Sequence, residues 1–207
     1  TKVIILNYSV RILVSVNNSK ERYRGPFQKP IVLVGLMGAG KTSIGRKLAE
    51  RLRVPFADAD HELEKAAGCT ITEFFEKFGE KEFRRGEKRV IARLLKSWPC
   101  VLATGGGAFM DLETRTMIKN KAVSVWLNAD LDTLDARLAQ RSGRPLLQTK
   151  NPRATLQSLM EKRYPIYAEA DMIVETSNGS VDMTVDKVYK SIIDYFSLTC
   201  EGKNGLN

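Results

Sequence analysis

The sequence predicts an α/β domain with a parallel sheet covered by helices on both faces, and three observations carry that expectation. Short apolar runs alternate with stretches of helical periodicity along most of the chain. The first of these runs leads directly into a glycine-rich turn and then a helix. At 207 residues and 43% hydrophobic content, the chain can bury one full core. The expected organisation is a flexible basic extension over residues 1–29, one globular unit over 30–198 and a short tail over 199–207.

The elements are expected in the following order. Pro30 precedes the apolar run Ile31-Val32-Leu33-Val34-Gly35, which has the length of a buried strand. In the helix after the turn, Ile44, Leu48 and Leu52 recur every four residues as one apolar stripe. A second strand is expected over Val54–Ala57. Thr70-Ile71-Thr72-Glu73 is a capping box that starts a helix, and Gly79 is placed to end it. A longer helix over Glu80–Lys96 would bury Phe83, Val90, Ile91, Leu94 and Leu95. Cys100–Ala103 is the third strand, and Asp111 caps a helix reaching about Asn120. Ala122–Leu127 reads as strand, Leu131–Arg141 as helix, and 143–150 has no periodicity. A helix over Arg153–Ala168, a strand at Met172–Glu175 and a helix over Asp182–Phe196 complete the pattern.

The bulk composition excludes several function classes. Of the formal net charge of +9, residues 1–29 carry +5, from Lys2, Arg11, Lys20, Arg22, Arg24 and Lys29 against Glu21 alone. The remaining excess suits an enzyme that handles anions, and no basic run with interleaved aromatics points to nucleic acid. Val3–Val16 is too short to span a bilayer and is interrupted by Asn7 and Arg11, so no membrane association is expected. Cys69, Cys100 and Cys200 are odd in number and far apart, which indicates neither a disulfide framework nor a zinc site. A reducing, cytoplasmic setting follows, or an organellar one if the basic, acid-poor extension is a transit peptide.

Gly35-Leu36-Met37-Gly38-Ala39-Gly40-Lys41-Thr42 fits the P-loop pattern G-x-x-x-x-G-K-[ST], and it lies between a strand and a helix, as that motif requires. Without side chains at the glycines, backbone N–H groups converge on phosphate oxygens at the positive end of a helix. Lys41 then reaches the β and γ phosphates, and the Thr42 hydroxyl can ligate Mg²⁺. Asp58 and Asp60 stand two residues apart at a strand's carboxyl end, where α/β sheets keep their ligands, and period-two alternation would put both on one side. Alone, they can also be read as helix-capping acids. Beside a P-loop, the sharper reading gives Asp58 to the Mg²⁺ shell and Asp60 to the attacking hydroxyl.

Other residues remain two-sided on sequence alone. Arg84 lies beside the Phe83 stripe with Glu87 three residues on, and it reads either as a surface pair or as a held binding group. Arg163, in Glu161-Lys162-Arg163-Tyr164-Pro165, carries the same ambiguity. Gly105-Gly106-Gly107 follows a strand and either makes a flexible turn or lets a ligand approach the backbone. Arg141 and Arg144 sit on an aperiodic segment, a surface loop or a phosphate-covering lid at about 141–151. His61, the only histidine, reads as an exposed helix-start residue.

Taken together, these residues resemble the shikimate kinases, a small branch of the nucleoside-monophosphate-kinase-like P-loop proteins, over roughly residues 30–196. The resemblance rests on order and spacing. The P-loop ending Gly-Lys-Thr is followed by Asp58-x-Asp60, Gly79-Glu80-x-x-Phe83-Arg84, Gly105-Gly106-Gly107, Arg144-Pro145-Leu146-Leu147 and Arg163-x-x-x-Tyr167. It implies a three-layer P-loop kinase fold, a five-stranded parallel sheet flanked by helices with a mobile lid. It also implies ATP-dependent phosphorylation of the shikimate 3-hydroxyl with Mg²⁺. The chain is expected to be a monomer. On the matching positions, nucleotide binding would fall to Gly38, Ala39, Gly40, Lys41, Thr42, Ser43 and the lid Arg144, with Arg141 a further adenine-side contact. Metal binding would fall to Thr42, with Asp58 beside it, and catalysis to Lys41, Asp60 and Arg144. The acceptor would meet Asp60, Arg84, Arg163 and the Gly105–Gly107 backbone. Gluconate is the rival acceptor, and a non-catalytic ATP-binding relative is the rival class. The loop 176–180 lacks the arginine that some relatives place near adenine.

Overall fold

The structure is a computed structural model that describes residues 29–96, 100–139, 151–177 and 179–201, with side chains to residue 198. Five strands alternate with helices: β1 (Ile31–Val34), α1 (Lys41–Leu52), β2 (Phe56–Asp58), α2 (Ala59–Ala67) and α3 (Ile71–Leu94). These are followed by β3 (Val101–Ala103), a 3₁₀ turn (Ala108–Met110), α4 (Leu112–Lys121), β4 (Val123–Ala129), α5 (Leu131–Ala139), α6 (Pro152–Tyr167), β5 (Met172–Thr176) and α7 (Val181–Glu201). All strand pairs are parallel, in the order β2-β3-β1-β4-β5. The fold is the expected five-stranded parallel sheet flanked by helices. Among the described residues, no helix is long and apolar enough to cross a membrane.

Strand β1 lies in the centre, and each of its residues is 2% exposed or less because both sheet faces are covered. Ile44, Leu48 and Leu52 all bury their side chains, so the apolar stripe of α1 does face the core. Of the five core residues expected over Glu80–Lys96, Phe83, Val90, Ile91 and Leu95 are buried and Leu94 is half-buried. Since the chain order leaves β1 to β3 on one side and to β4 on the other, a crevice opens at the carboxyl ends of these strands. The P-loop, the glycine triplet and the ends of β2 and β5 all lie at that edge.

The break expected at Gly79 is present: α3 consists of two helices that meet at a kink there (φ 75°, ψ 174°), a conformation that glycine supplies without a Cβ clash. The capping box is present, with Thr70 and Glu73 bonding reciprocally. Strand β2 starts two residues later than expected and stops at Asp58, whose carboxylate accepts from the N–H groups of Asp60 and His61 and so caps α2. Asp60 is therefore the second residue of a helix. Capping, and not strand alternation, sets it beside Asp58.

Candidate active site

The loop Gly35–Gly40 turns back on itself through left-handed conformations at Gly38 (φ 84°) and Gly40 (φ 93°), the latter forming the N-cap of α1. Lys41, the first helical residue, is 9% exposed, and its ammonium donates to the carbonyls of Gly35 (2.7 Å) and Leu36 (2.8 Å). A phosphate entering the loop can exchange for these carbonyls, since both are neutral acceptors and a phosphate is charged. The Thr42 hydroxyl donates to Asp58 Oδ2 at 2.7 Å, joining the P-loop to the end of β2. Asp58 thus caps α2 with one oxygen, as the capping reading has it, and accepts from Thr42 with the other.

Gly38, Gly40, Lys41, Thr42, Ser43, Asp58, Asp60, Arg84, Gly105, Gly106, Gly107 and Arg163 all line one cavity of about 540 Å³. That volume lies in the range of small-molecule sites. Ala39 is not among the lining residues. It is buried, and its N–H donates to the Leu36 carbonyl at 3.2 Å. Arg141 and Arg144, with most of the expected lid, lie outside the described residues.

One end of the cavity is built for an anion. Arg84 donates to Glu87 Oε2 at 2.8 Å and to Glu80 at 3.3 Å. Burial opposes the Arg84 charge, but the two glutamates outweigh it and raise its pKa. Its guanidinium lies over Gly107 so closely that a Cβ there would sit 2.6 Å from Cζ. From α6, Arg163 donates to the Gly106 carbonyl at 3.1 Å, and the Tyr167 hydroxyl donates to the same oxygen. Two guanidinium groups thus converge on the glycine triplet. Thr104 anchors the triplet's entry by donating from N–H (3.2 Å) and hydroxyl (3.0 Å) to the Leu33 carbonyl.

Glu87 is only 3% exposed, and among the described residues its Oε1 has no hydrogen-bond partner. Burial pushes its pKa up, Arg84 pulls it down, and Asp60 adds a smaller upward push. A Cβ on Gly105 would overlap Glu87 Oε1 and approach Asp60 Oδ1 to 2.9 Å, so the absence of a side chain there leaves the two carboxyl groups room near one another. The sequence carried a signal for this burial: Glu87 stands four residues after Phe83 and four before Ile91, in the apolar row of α3. Arg137 carried no such signal. On α5 it donates to the Gly38 carbonyl (3.3 Å) and the Ser177 carbonyl (2.6 Å), so it links the P-loop to the segment after β5 and lines the cavity.

The Thr42–Asp58 pair suits Mg²⁺, since both groups offer hard oxygen ligands beside a phosphate-binding loop. Among the described residues no cluster of three or more His, Cys, Asp or Glu forms a cation cage. An ion held by one or two protein oxygens and completed by nucleotide phosphates and water is the arrangement Mg²⁺ favours.

Comparison with known proteins identifies the family. The family model described as shikimate kinase matches residues 37–194. A shikimate kinase of Paramagnetospirillum magneticum is 53% identical over 174 residues, covering 84% of this chain and 89% of its own. The structure of shikimate kinase from Acinetobacter baumannii in complex with shikimate superposes with a TM-score of 0.76 at 38% identity, covering 86% of this chain and 96% of its own. A gluconokinase from Sinorhizobium meliloti has a TM-score of 0.62 at 18% identity, covering 85% of this chain and 98% of its own, a likeness of fold alone. By its matched residues and by the identity and coverage of these relatives, the chain belongs to the shikimate kinase family.

Proposed function

We infer that this chain transfers the γ-phosphoryl group of ATP to the 3-hydroxyl of shikimate, with Mg²⁺, giving shikimate 3-phosphate and ADP. The observation that carries the reading is the convergence of Arg84 and Arg163 on the glycine triplet, in the cavity that also holds Lys41 and Asp60. A ring carboxylate meets two guanidinium forks there, whose planar donors match its two oxygens. Asp60, in the first turn of α2, takes the hydroxyl end. Met37, Phe75 and Phe83 line the same cavity and offer apolar contact to the carbon ring between these ends.

On the nucleotide side, the amides of Gly38, Gly40, Thr42 and Ser43 hold phosphate oxygens at the start of α1, and Lys41 reaches the β and γ phosphates. Mg²⁺, held at Thr42 with Asp58 beside it, supplies charge neutralisation across the phosphate chain. Arg137 closes the nucleotide end, between Gly38 and Ser177. A phosphate-covering role for Arg144, and an adenine-side one for Arg141, rests on the family pattern alone.

The chemistry follows from these positions. Asp60 orients the 3-hydroxyl and accepts its proton as the new bond forms between that oxygen and the γ phosphorus. The bond from that phosphorus to the β–γ bridging oxygen breaks, and ADP leaves with the electron pair. Lys41 and Arg144 offset charge on the transferring group, the main means by which such enzymes act. Use of ATP and the free thiols of Cys69 and Cys100 support a cytoplasmic setting. Phosphorus and proton NMR of the product from Mg-ATP and shikimate tests the reading. Phosphorus coupled to the proton on C3 is the expected result, and coupling at another position or no product rejects it.

A further inference from the structure

We propose that Tyr167 is a positioning residue for the acceptor: its hydroxyl, with Arg163, fixes the peptide between Gly106 and Gly107 so that N–H and not C=O faces the substrate carboxylate. The inference rests on the shikimate reading given above. Tyr167 is 0% exposed, among the largest fully buried side chains of the molecule, and its hydroxyl donates to the Gly106 carbonyl. Arg163 Nη1 donates to the same oxygen at 3.1 Å.

The geometry matters because of what flanks that peptide. With glycine on both sides, no Cβ disfavours a peptide flip. A trans peptide sets its C=O and N–H on opposite sides. A Gly106 carbonyl turned toward buried Tyr167 therefore turns the Gly107 N–H away from the core, on the side where the triplet lines the cavity. A flipped peptide would present a carbonyl dipole to an anion and would release Arg163 from its anchor. Burial pushes the Tyr167 hydroxyl up to about 12, so it remains a donor at any pH at which the enzyme works.

Packing is the competing role, and it can be separated. The Tyr167 ring lies near Phe109 (centroids 6.4 Å apart), Trp126 (5.9 Å) and Tyr164 (6.2 Å), contacts that phenylalanine would keep. Tyr164 is the internal control. Its hydroxyl donates to the Ala129 carbonyl, at the end of β4 and not in the triplet.

The test compares Tyr167→Phe and Tyr164→Phe in the full chain, with steady-state kinetics in shikimate and in ATP and with melting midpoints. Tyr167→Phe should raise the shikimate KM roughly five- to tenfold, the worth of one buried hydrogen bond, while kcat and the ATP KM stay within about twofold. Tyr164→Phe should lower the melting midpoint without moving the shikimate KM. The inference is overturned if Tyr167→Phe leaves the shikimate KM unchanged, if it raises both KM values together, or if both variants raise the shikimate KM alike. A wild-type chain that does not phosphorylate shikimate rejects the functional reading itself, and this inference with it.

Discussion

Replacing Gly107 by alanine should damage acceptor binding far more than nucleotide binding. The backbone at Gly107 (φ −99°, ψ −15°) suits any L-residue, so the substitution meets no torsional obstacle. Its obstacle is Arg84, which the new Cβ would overlap at both terminal nitrogens and approach to 2.6 Å at Cζ. The end of a long side chain can move, but Arg84 moves away from two tasks. Losing its fork on the substrate carboxylate removes a charge-assisted interaction of about 1.5–3 kcal/mol, or roughly 10- to 150-fold in kcat/KM for shikimate. Leaving Glu87, whose side chain is 4% exposed, strips a buried carboxylate of its partner, with a loss of about 1.5–3 kcal/mol in stability.

For a domain of this size that loss is a fall of roughly 3–12 °C in the melting midpoint. It should depend on pH. Burial already raises the Glu87 pKa, and removal of Arg84 raises it further. The unfolded chain releases this proton near the ordinary carboxylate value, while the folded variant keeps it to higher pH, so the variant loses stability as pH rises through that window. The midpoint deficit against wild type should therefore be small near the unfolded pKa and grow toward neutrality. Arg84→Ala should behave alike, and the double variant should lose no further kcat/KM for shikimate. The assays are coupled ADP release, titration with ATP, and melting from acid to neutral pH. An unchanged shikimate KM, or a midpoint deficit that is flat with pH, would falsify the placement of Arg84 between Gly107 and Glu87.

The two aspartates should separate cleanly. Asp60→Asn should reduce turnover by about 10²-fold or more with ATP affinity little changed, because the P-loop and Thr42 are untouched. Steady-state rates with ATP titration decide it, and a variant with wild-type turnover removes Asp60 from the chemistry. Asp58→Asn should raise the Mg²⁺ concentration needed for half-maximal rate and weaken nucleotide binding, since its carboxylate meets the Thr42 hydroxyl at 2.7 Å. Loss of shikimate binding in that variant, with Mg²⁺ dependence intact, would reverse the two roles.

Much of this fold was legible because its signals are local. A buried strand, a glycine turn and a helix with apolar residues every four positions are each written within a dozen residues, and β1 and α1 lie where those signals put them. Strand β2 was misplaced because Val54 and Pro55 look as extended as Phe56 and Ala57, and the strand's end is set by Asp58 capping α2. The anionic end of the site was half legible. Arg84, Arg163 and the triplet were visible as residues, but their convergence joins α3, α6 and the end of β3, which no local pattern connects. Arg137 escaped notice because an arginine on an amphipathic helix ordinarily faces water, and only the approach of Gly38 and Ser177 gives it another role. The pairing of Tyr167 with Gly106 likewise spans 61 residues of sequence.

The central claim is that one cavity joins a P-loop to a receptor for a ring carboxylate and its neighbouring hydroxyl. It is tested most directly by kcat/KM for phosphoryl transfer from Mg-ATP to shikimate, gluconate and a nucleoside monophosphate, measured side by side. Shikimate should exceed the other two by at least about 10²-fold, since gluconate lacks the ring that sets its carboxylate and hydroxyl at a fixed spacing and a nucleoside monophosphate has no ring carboxylate for Arg84 and Arg163. Turnover with gluconate or a nucleoside monophosphate and none with shikimate would leave the P-loop standing and contradict the receptor.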